Sequence, residues 1–142
     1  MKCYFLKISV FAILFLSIGY SATAQSNDLQ AIEKVLNDYM IGGMERDAER
    51  VVSAFHPQAM MKYIRDGAYK EVNAREFFGA GKPGPKLERT NEIVSIDITG
   101  HAAVAKIALK YKDKQFTDYM TLLKIDGQWL IINKSFYLDI FE

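Results

Sequence analysis

Cysteine is almost missing from this sequence. Its single copy, Cys3, stands at the extreme N-terminus, so the chain has no internal disulfide and no cysteine pair for a metal. Histidine is scarce as well. His56 and His101 lie far apart and match no H-x-x-x-H spacing, so no metal site is expected. Charge of one sign is not in excess, with 18 Lys and Arg against 17 Asp and Glu. No basic stripe is present, and no nucleic-acid partner is expected. No serine sits in a nucleophile elbow, which leaves no Ser-His-Asp triad. The Gly-rich segment GAGKPGPK, residues 79–86, lacks the glycine, lysine and hydroxyl spacing of a phosphate loop and follows no strong strand. It reads as a rigid linker, and no cofactor is expected. Internal repeats and low-complexity tracts are absent.

One long apolar run is present, at the start. Lys2 and Lys7 form a positive flank, Ile8 to Tyr20 an apolar stretch, and Ala22-Thr23-Ala24 a small-x-small cleavage site before Gln25. The run has 13 residues, short of the ~20 that span a bilayer. An export signal over residues 1–24 is expected, followed by one domain over 25–142 in the periplasm or outside the cell. Cleavage removes Cys3 and two lysines, leaving 16 basic against 17 acidic residues and a formal charge of −1. The remaining 118 residues suffice for a core without staples. After cleavage no membrane segment is left.

Helical spacing comes first along this domain. Leu29, Ile32, Val35, Leu36, Tyr39 and Met40 share one helix face, and Gly42-Gly43 reads as the stop. Asp47 is a good N-cap for a second short helix, with Glu49 in its first turn. Val51, Val52 and Phe55 form its apolar side, and Pro57 ends it. MMKYIRDGAYKEV reads as a hairpin around Asp66-Gly67. Asn73 to Glu76 has capping-box spacing and opens a helix carrying Phe77 and Phe78. From Glu92 the apolar period becomes 2. Strands are expected over 92–99, 102–111, 116–125 and 128–137, joined by short turns that force antiparallel neighbours. Helices followed by a meander is an α+β arrangement.

The turns give a register. A two-residue turn at Gly100-His101 sets Ile98 against Ala103, Ile96 against Ala105 and Val94 against Ile107. With residues 112 and 115 flanking the next turn, Leu109 opposes Asp118 and Ile107 opposes Met120. A type I′ turn at Asp126-Gly127 sets Met120 against Asn133, Leu122 against Ile131 and Asp118 against Ser135, with Trp129 and Tyr137 on the same inward face. A bulged turn at Gly127 flips one strand relative to the other. An unpaired buried carboxylate is costly, so Asp118 requires a partner, water or a raised pKa. A hydrated pocket between sheet and helices meets that need. On the reverse face, Leu123, Leu130, Ile132 and Phe136 form an apolar patch where polar residues are usual. A homodimer through this outer face is expected, with Lys106, Tyr119 and Lys134 at or near the interface; a solvated Lys134 is the alternative.

Several short segments together resemble a known family. They are Asp38-Tyr39, Gly42, Asp47, Ala54-Phe55-His56-Pro57 and Ile96-Asp97-Ile98, then Phe116-Thr-Asp-Tyr119, Asp126-Gly-Gln-Trp129 and Ile132-Asn133-Lys134. Over about residues 27–140 the chain resembles the nuclear transport factor 2-like superfamily, and most of all its exported "putative lumazine-binding" branch. The resemblance implies a cone, also termed cystatin-like or SnoaL-like: a strongly curved, mostly antiparallel sheet wrapped around N-terminal helices, with a pocket at the open end. Relatives include ketosteroid isomerases, polyketide cyclases, dehydratases and pure binding or dimerisation modules, so fold alone does not fix the chemistry.

The expected function is binding of a small planar or ring-containing ligand in a mixed apolar and polar pocket. Trp129, Asn133, Met120, Ser135 and Tyr137 are the candidate ligand contacts. The aromatics among them, Trp129 and Tyr137, are placed to stack on a planar ligand, although an aromatic on a sheet face is more often core. The alternative is a cofactor-independent isomerase or lyase. Asp118 is then the acid-base group, with His56 or Tyr39 assisting, since a carboxylate in an apolar pocket gains basicity. The structural alternatives are an Asp118 bonded to Ser135 or to nearby backbone, and a His56 that caps helix carbonyls. A third reading is a structural dimer with a filled interior.

Overall fold

The computed structural model describes the backbone of residues 13–141 and the side chains from residue 25. The first half of the expected export signal, residues 1–12, lies outside the described residues. A first helix, α1 (Ile13–Glu45), leads into α2 (Ala48–Ser53). Strands β1 (Phe55–Arg65) and β2 (Ala68–Asn73) form a hairpin before α3 (Ala74–Gly79). Four long strands follow: β3 (Thr90–Thr99), β4 (Ala102–Lys110), β5 (Lys114–Ile125) and β6 (Gln128–Ile140). No helix among the described residues is long and apolar enough to cross a membrane.

The glycine pair does not stop α1. The helix runs through Gly42-Gly43 to Glu45 and ends where Arg46 turns to φ 60°. Gly42 is there because α2 passes close by: a Cβ would meet the Val51 nitrogen and Cγ2 at 3.1 Å. Asp47 caps α2 by accepting from the Arg50 N–H at 3.0 Å. That helix ends at Ser53, so Phe55, His56 and Pro57 belong to β1 rather than to a helix end. Asp66-Gly67 makes the hairpin turn with positive φ at both residues, 52° and 74°. Asn73 caps α3 through the Glu76 N–H at 3.1 Å.

The six strands form one curved open sheet in the order β2-β1-β6-β5-β4-β3. All neighbours are antiparallel except β1 and β6, which run parallel. The fold is α+β and nuclear transport factor 2-like, as expected. The sheet curves over the helices, burying Ile32, Leu36, Tyr39 and Met40 of α1 against Ile107, Met120, Leu122 and Ile131.

The register departs from expectation at three points. Ile98 and Ile96 do oppose Ala103 and Ala105, but a bulge at Val94 sets Ile93 against Ile107 and leaves Val94 exposed. The β4–β5 turn lies one residue earlier than expected, with Tyr111 rather than Lys112 at its start and bonded to Lys114. Ile107 therefore opposes Asp118, and Ala105 opposes Met120. The third point matters most. The Asp126-Gly127 turn has two residues and positive φ at both, and Leu122 faces Ile131. Two residues later the ladder slips, so Thr121 pairs with Asn133 and Met120 with Lys134. The extra residue is Ile132, and this bulge inverts the rest of β6. Asn133 and Ser135 turn to the outer face. Lys134 and Phe136 turn inward, away from the expected interface.

Candidate functional site

Asp118 is fully buried at the middle of β5, and the inverted end of β6 brings Lys134 to it. The Lys134 Nζ stands 2.5 Å from Asp118 Oδ1, with the lysine side chain only 4% exposed. The other carboxylate oxygen accepts from the Tyr39 hydroxyl at 2.9 Å. Asp118 is thus satisfied by a cation and a phenol, not by Ser135, which sits opposite Tyr119 on the outer face. The pair is a buried ion pair held by charge-assisted hydrogen bonding. Burial pushes the Lys134 amine below the usual lysine value, and Asp118 opposes that shift. Burial first, then the Asp118 charge, push the Tyr39 hydroxyl well above its ordinary value.

Beside this triad lies a cavity of about 610 Å³ at the end of the sheet where the β1–β2 and β4–β5 turns meet the end of β6. Tyr63, Phe77, Phe78, Tyr111, Phe116 and Phe136 form its aromatic wall. The rings support one another: Tyr63 stacks on Phe136 at 4.9 Å, and Phe77 meets Phe78 edge-on at 5.2 Å. Lys134 and Tyr39 both line the cavity, as does Arg89. The Lys134 Nζ lies 4.3 Å from the Phe136 ring centre and 5.7 Å from that of Tyr39. Arg89 is fixed by donating to Tyr111 Oη at 2.8 Å and to the Met40 carbonyl at 2.7 Å. Deep in the cavity the polar groups are Lys134, Tyr39 and Arg89, while Arg65 and Asp66 of the β1–β2 turn stand at its exposed edge.

The expected site residues separate. Tyr39 lines the cavity and Asp118 stands directly behind Lys134. Tyr137 reaches the cavity rim while remaining largely exposed. Met120 and Trp129 are core residues outside the cavity. Trp129 donates its indole N–H to Asp28 at 3.0 Å, and Lys124 binds the same oxygen at 2.7 Å, which ties α1 to the far end of the sheet. Asn133 and Ser135 are turned out of the cavity by the bulge. His56 lies on β1, where its Nδ1 accepts from the Gln58 N–H at 3.2 Å, and it neither lines the cavity nor caps a helix. Lys134 was the residue missed as a site group. The signal for it was Asp118 itself: a carboxylate on an apolar face needs a cation, and Lys134 is on the adjoining strand.

Known proteins similar to this chain share its fold. The family model described as "Putative lumazine-binding" matches residues 27–137. A nuclear transport factor 2-like protein of unknown function from Shewanella baltica is 29% identical, with a TM-score of 0.71 over 80% of this chain and 95% of that one. One from Methylobacillus flagellatus is also 29% identical, with a TM-score of 0.70 over 80% and 93%. Among characterised proteins, "Aldolase FrzH" of Cladobotryum sp. is 22% identical over 115 residues, which is 79% of this chain and 92% of that protein. With nearly the whole folded domain matched and the cavity in place, the chain belongs to the "putative lumazine-binding" family of nuclear transport factor 2-like, small-molecule-binding domains.

Proposed function

We propose that this protein is an exported domain that holds a small ring-containing ligand, with the ligand's oxygen function directed at Lys134 and Tyr39. The observation that carries this reading is the aromatic-walled cavity of about 610 Å³ with polar groups at a few fixed positions. Ligand pockets are typically ~300–1,000 Å³, mostly apolar, with few oriented polar groups. The N-terminal apolar run and its small-x-small site support export. The outer sheet face supports a homodimer, since Val104 and Tyr119 are more than half exposed there.

The test is a thermal-shift series on residues 25–142 with 2-naphthol, lumazine and cyclohexane-1,2-diol. Planar rings with one polar edge should raise Tm, and the non-planar diol should not. Tyr63→Ala removes one face of the stacked wall and should weaken 2-naphthol by about tenfold, on the order of 1.4 kcal/mol. Absence of any shift, together with no ligand in solvent extracts of protein from its native compartment, would rule out the binding reading.

A second reading is cofactor-independent lyase or isomerase chemistry. It is favoured by the Lys134–Asp118–Tyr39 line beside the cavity and by similarity to a protein named an aldolase. Here Asp118 acts through Lys134 rather than on the ligand, because the lysine stands between the carboxylate and the cavity.

A further inference from the structure

We propose that Lys134 is a covalent-binding residue whose amine forms an imine with an aldehyde or ketone on an apolar, ring-containing molecule. The inference rests on the binding reading above and deepens it by naming the ligand's reactive group. Three observations converge on it. Lys134 lines the cavity although its side chain is almost fully buried. Its Nζ lies close to two rings that also line the cavity, Phe136 and Tyr39. A carboxylate able to take the ammonium proton sits 2.5 Å away, backed by the Tyr39 hydroxyl. Lysines desolvated in apolar pockets are the ones that reach the free-amine form needed for Schiff-base chemistry.

The step balances without any further reactant. The Lys134 ammonium passes one proton to Asp118 and becomes a neutral amine. Its lone pair forms a C–N bond to the carbonyl carbon, and the C=O π pair moves onto oxygen. A proton moves from nitrogen to that oxygen, giving the carbinolamine. The nitrogen lone pair then forms C=N as the C–O bond breaks. The departing hydroxide takes the proton held on Asp118 and leaves as water. The products are an iminium on Lys134, an Asp118 carboxylate and one water, so the pair regains its opposite charges. Such an iminium draws electrons from the neighbouring carbon. It is the electron sink that C–C bond formation or cleavage next to a carbonyl requires.

The geometry also says why other lysines do not compete. Lys34 is 77% exposed and paired with Asp38, and Lys82 and Lys112 are exposed in loops. None of the three lines the cavity, so a ring-containing carbonyl held there is presented to Lys134 and not to them.

The experiment is reductive trapping. The mature chain is incubated at neutral pH with 2-naphthaldehyde and sodium cyanoborohydride, digested, and mapped by mass spectrometry. Labelling at Lys134 should exceed that at Lys34, Lys82 and Lys112 by about tenfold or more, since only Lys134 is desolvated and held against a bound ring, which raises the local concentration of the carbonyl. Excess 2-naphthol, which has the ring but no carbonyl, should suppress it. The paired variant Lys134→Met/Asp118→Leu removes both buried charges together, so it should stay folded and show only background labelling. Labelling spread over exposed lysines with Lys134 unmodified overturns the imine. If 2-naphthol or lumazine still raises Tm in that case, the binding reading stands alone; if neither does and native extracts hold no ligand, both readings fall.

Discussion

Lys134 and Asp118 show how far a single residue's meaning depends on its partner. Alone, each would be a buried charge; together they neutralise one another, and Asp118 also accepts a hydrogen bond from Tyr39. Lys134→Met should therefore destabilise the fold by ~3–5 kcal/mol, because Asp118 is left without its cation. Asp118→Leu added to it should restore most of that loss, because two apolar groups replace the pair. Urea unfolding of both variants checks the contrast. Tyr39 makes a second, pH-dependent prediction. Its hydroxyl is raised well above the ordinary value of 10.0 by burial and by Asp118. Above that pH the unfolded chain loses the Tyr39 proton while the folded chain keeps it. The folded state then binds more protons, so stability falls as pH rises, by up to about 1.4 kcal/mol per pH unit from this group. Tyr39→Phe should flatten that alkaline decline by the same slope, as read from urea midpoints between pH 9 and 11.

Elements in this fold are shaped by what crosses them. A glycine pair near the end of an amphipathic run normally signals a helix stop, and α1 ignores it because the residues serve close packing instead. Exchanging a helix-interior glycine for alanine usually gains up to ~1 kcal/mol. At Gly42 the added methyl would press on the Val51 backbone nitrogen at 3.1 Å, which cannot swing aside. Gly42→Ala should therefore lose about 1 kcal/mol net, because overpacking costs ~1–3 kcal/mol against that gain. Thermal unfolding with the second helix's cap variant Asp47→Ala as a reference of similar size, ~1 kcal/mol, tests it. In β6 the bulge at Ile132 has the larger consequence. Strand identity, turn type and the pairing of Leu122 with Ile131 were all legible from alternation and the Asp126-Gly127 signal. The bulge was not, because no proline or glycine marks it. One inserted residue exchanged the two faces of β6 and placed Lys134, rather than Asn133, beside the site.

For the whole molecule, the helices close one face of the sheet and leave the other outward. Val104, Tyr119, Leu123, Leu130 and Ile132 lie on that outer side, and Lys106 rests 5.6 Å from the centre of the Tyr119 ring. Covering this side with a second copy removes apolar surface from water. The domain over residues 25–142 should sediment at twice its monomer mass at micromolar concentration. Val104→Glu/Tyr119→Glu should shift it to monomer while leaving 2-naphthol binding intact, since neither residue lines the cavity. A wild-type chain that sediments as a monomer would remove the dimer from the account.

The sequence by itself determined the α+β order, the Gly100-His101 and Asp126-Gly127 turns between long apolar strands, both side-chain helix caps and the need of Asp118 for a partner. These are local quantities: period, capping chemistry, turn residues and the cost of burying a carboxylate. Only the tertiary structure decided which group meets that need and what faces the cavity. Sheet curvature requires local slips in the ladder, and a slip of one residue reverses every side chain beyond it. That is why Lys134 entered the interior with Phe136, why Asn133 and Ser135 left it, and why Trp129 secures α1 at the opposite end instead of touching a ligand.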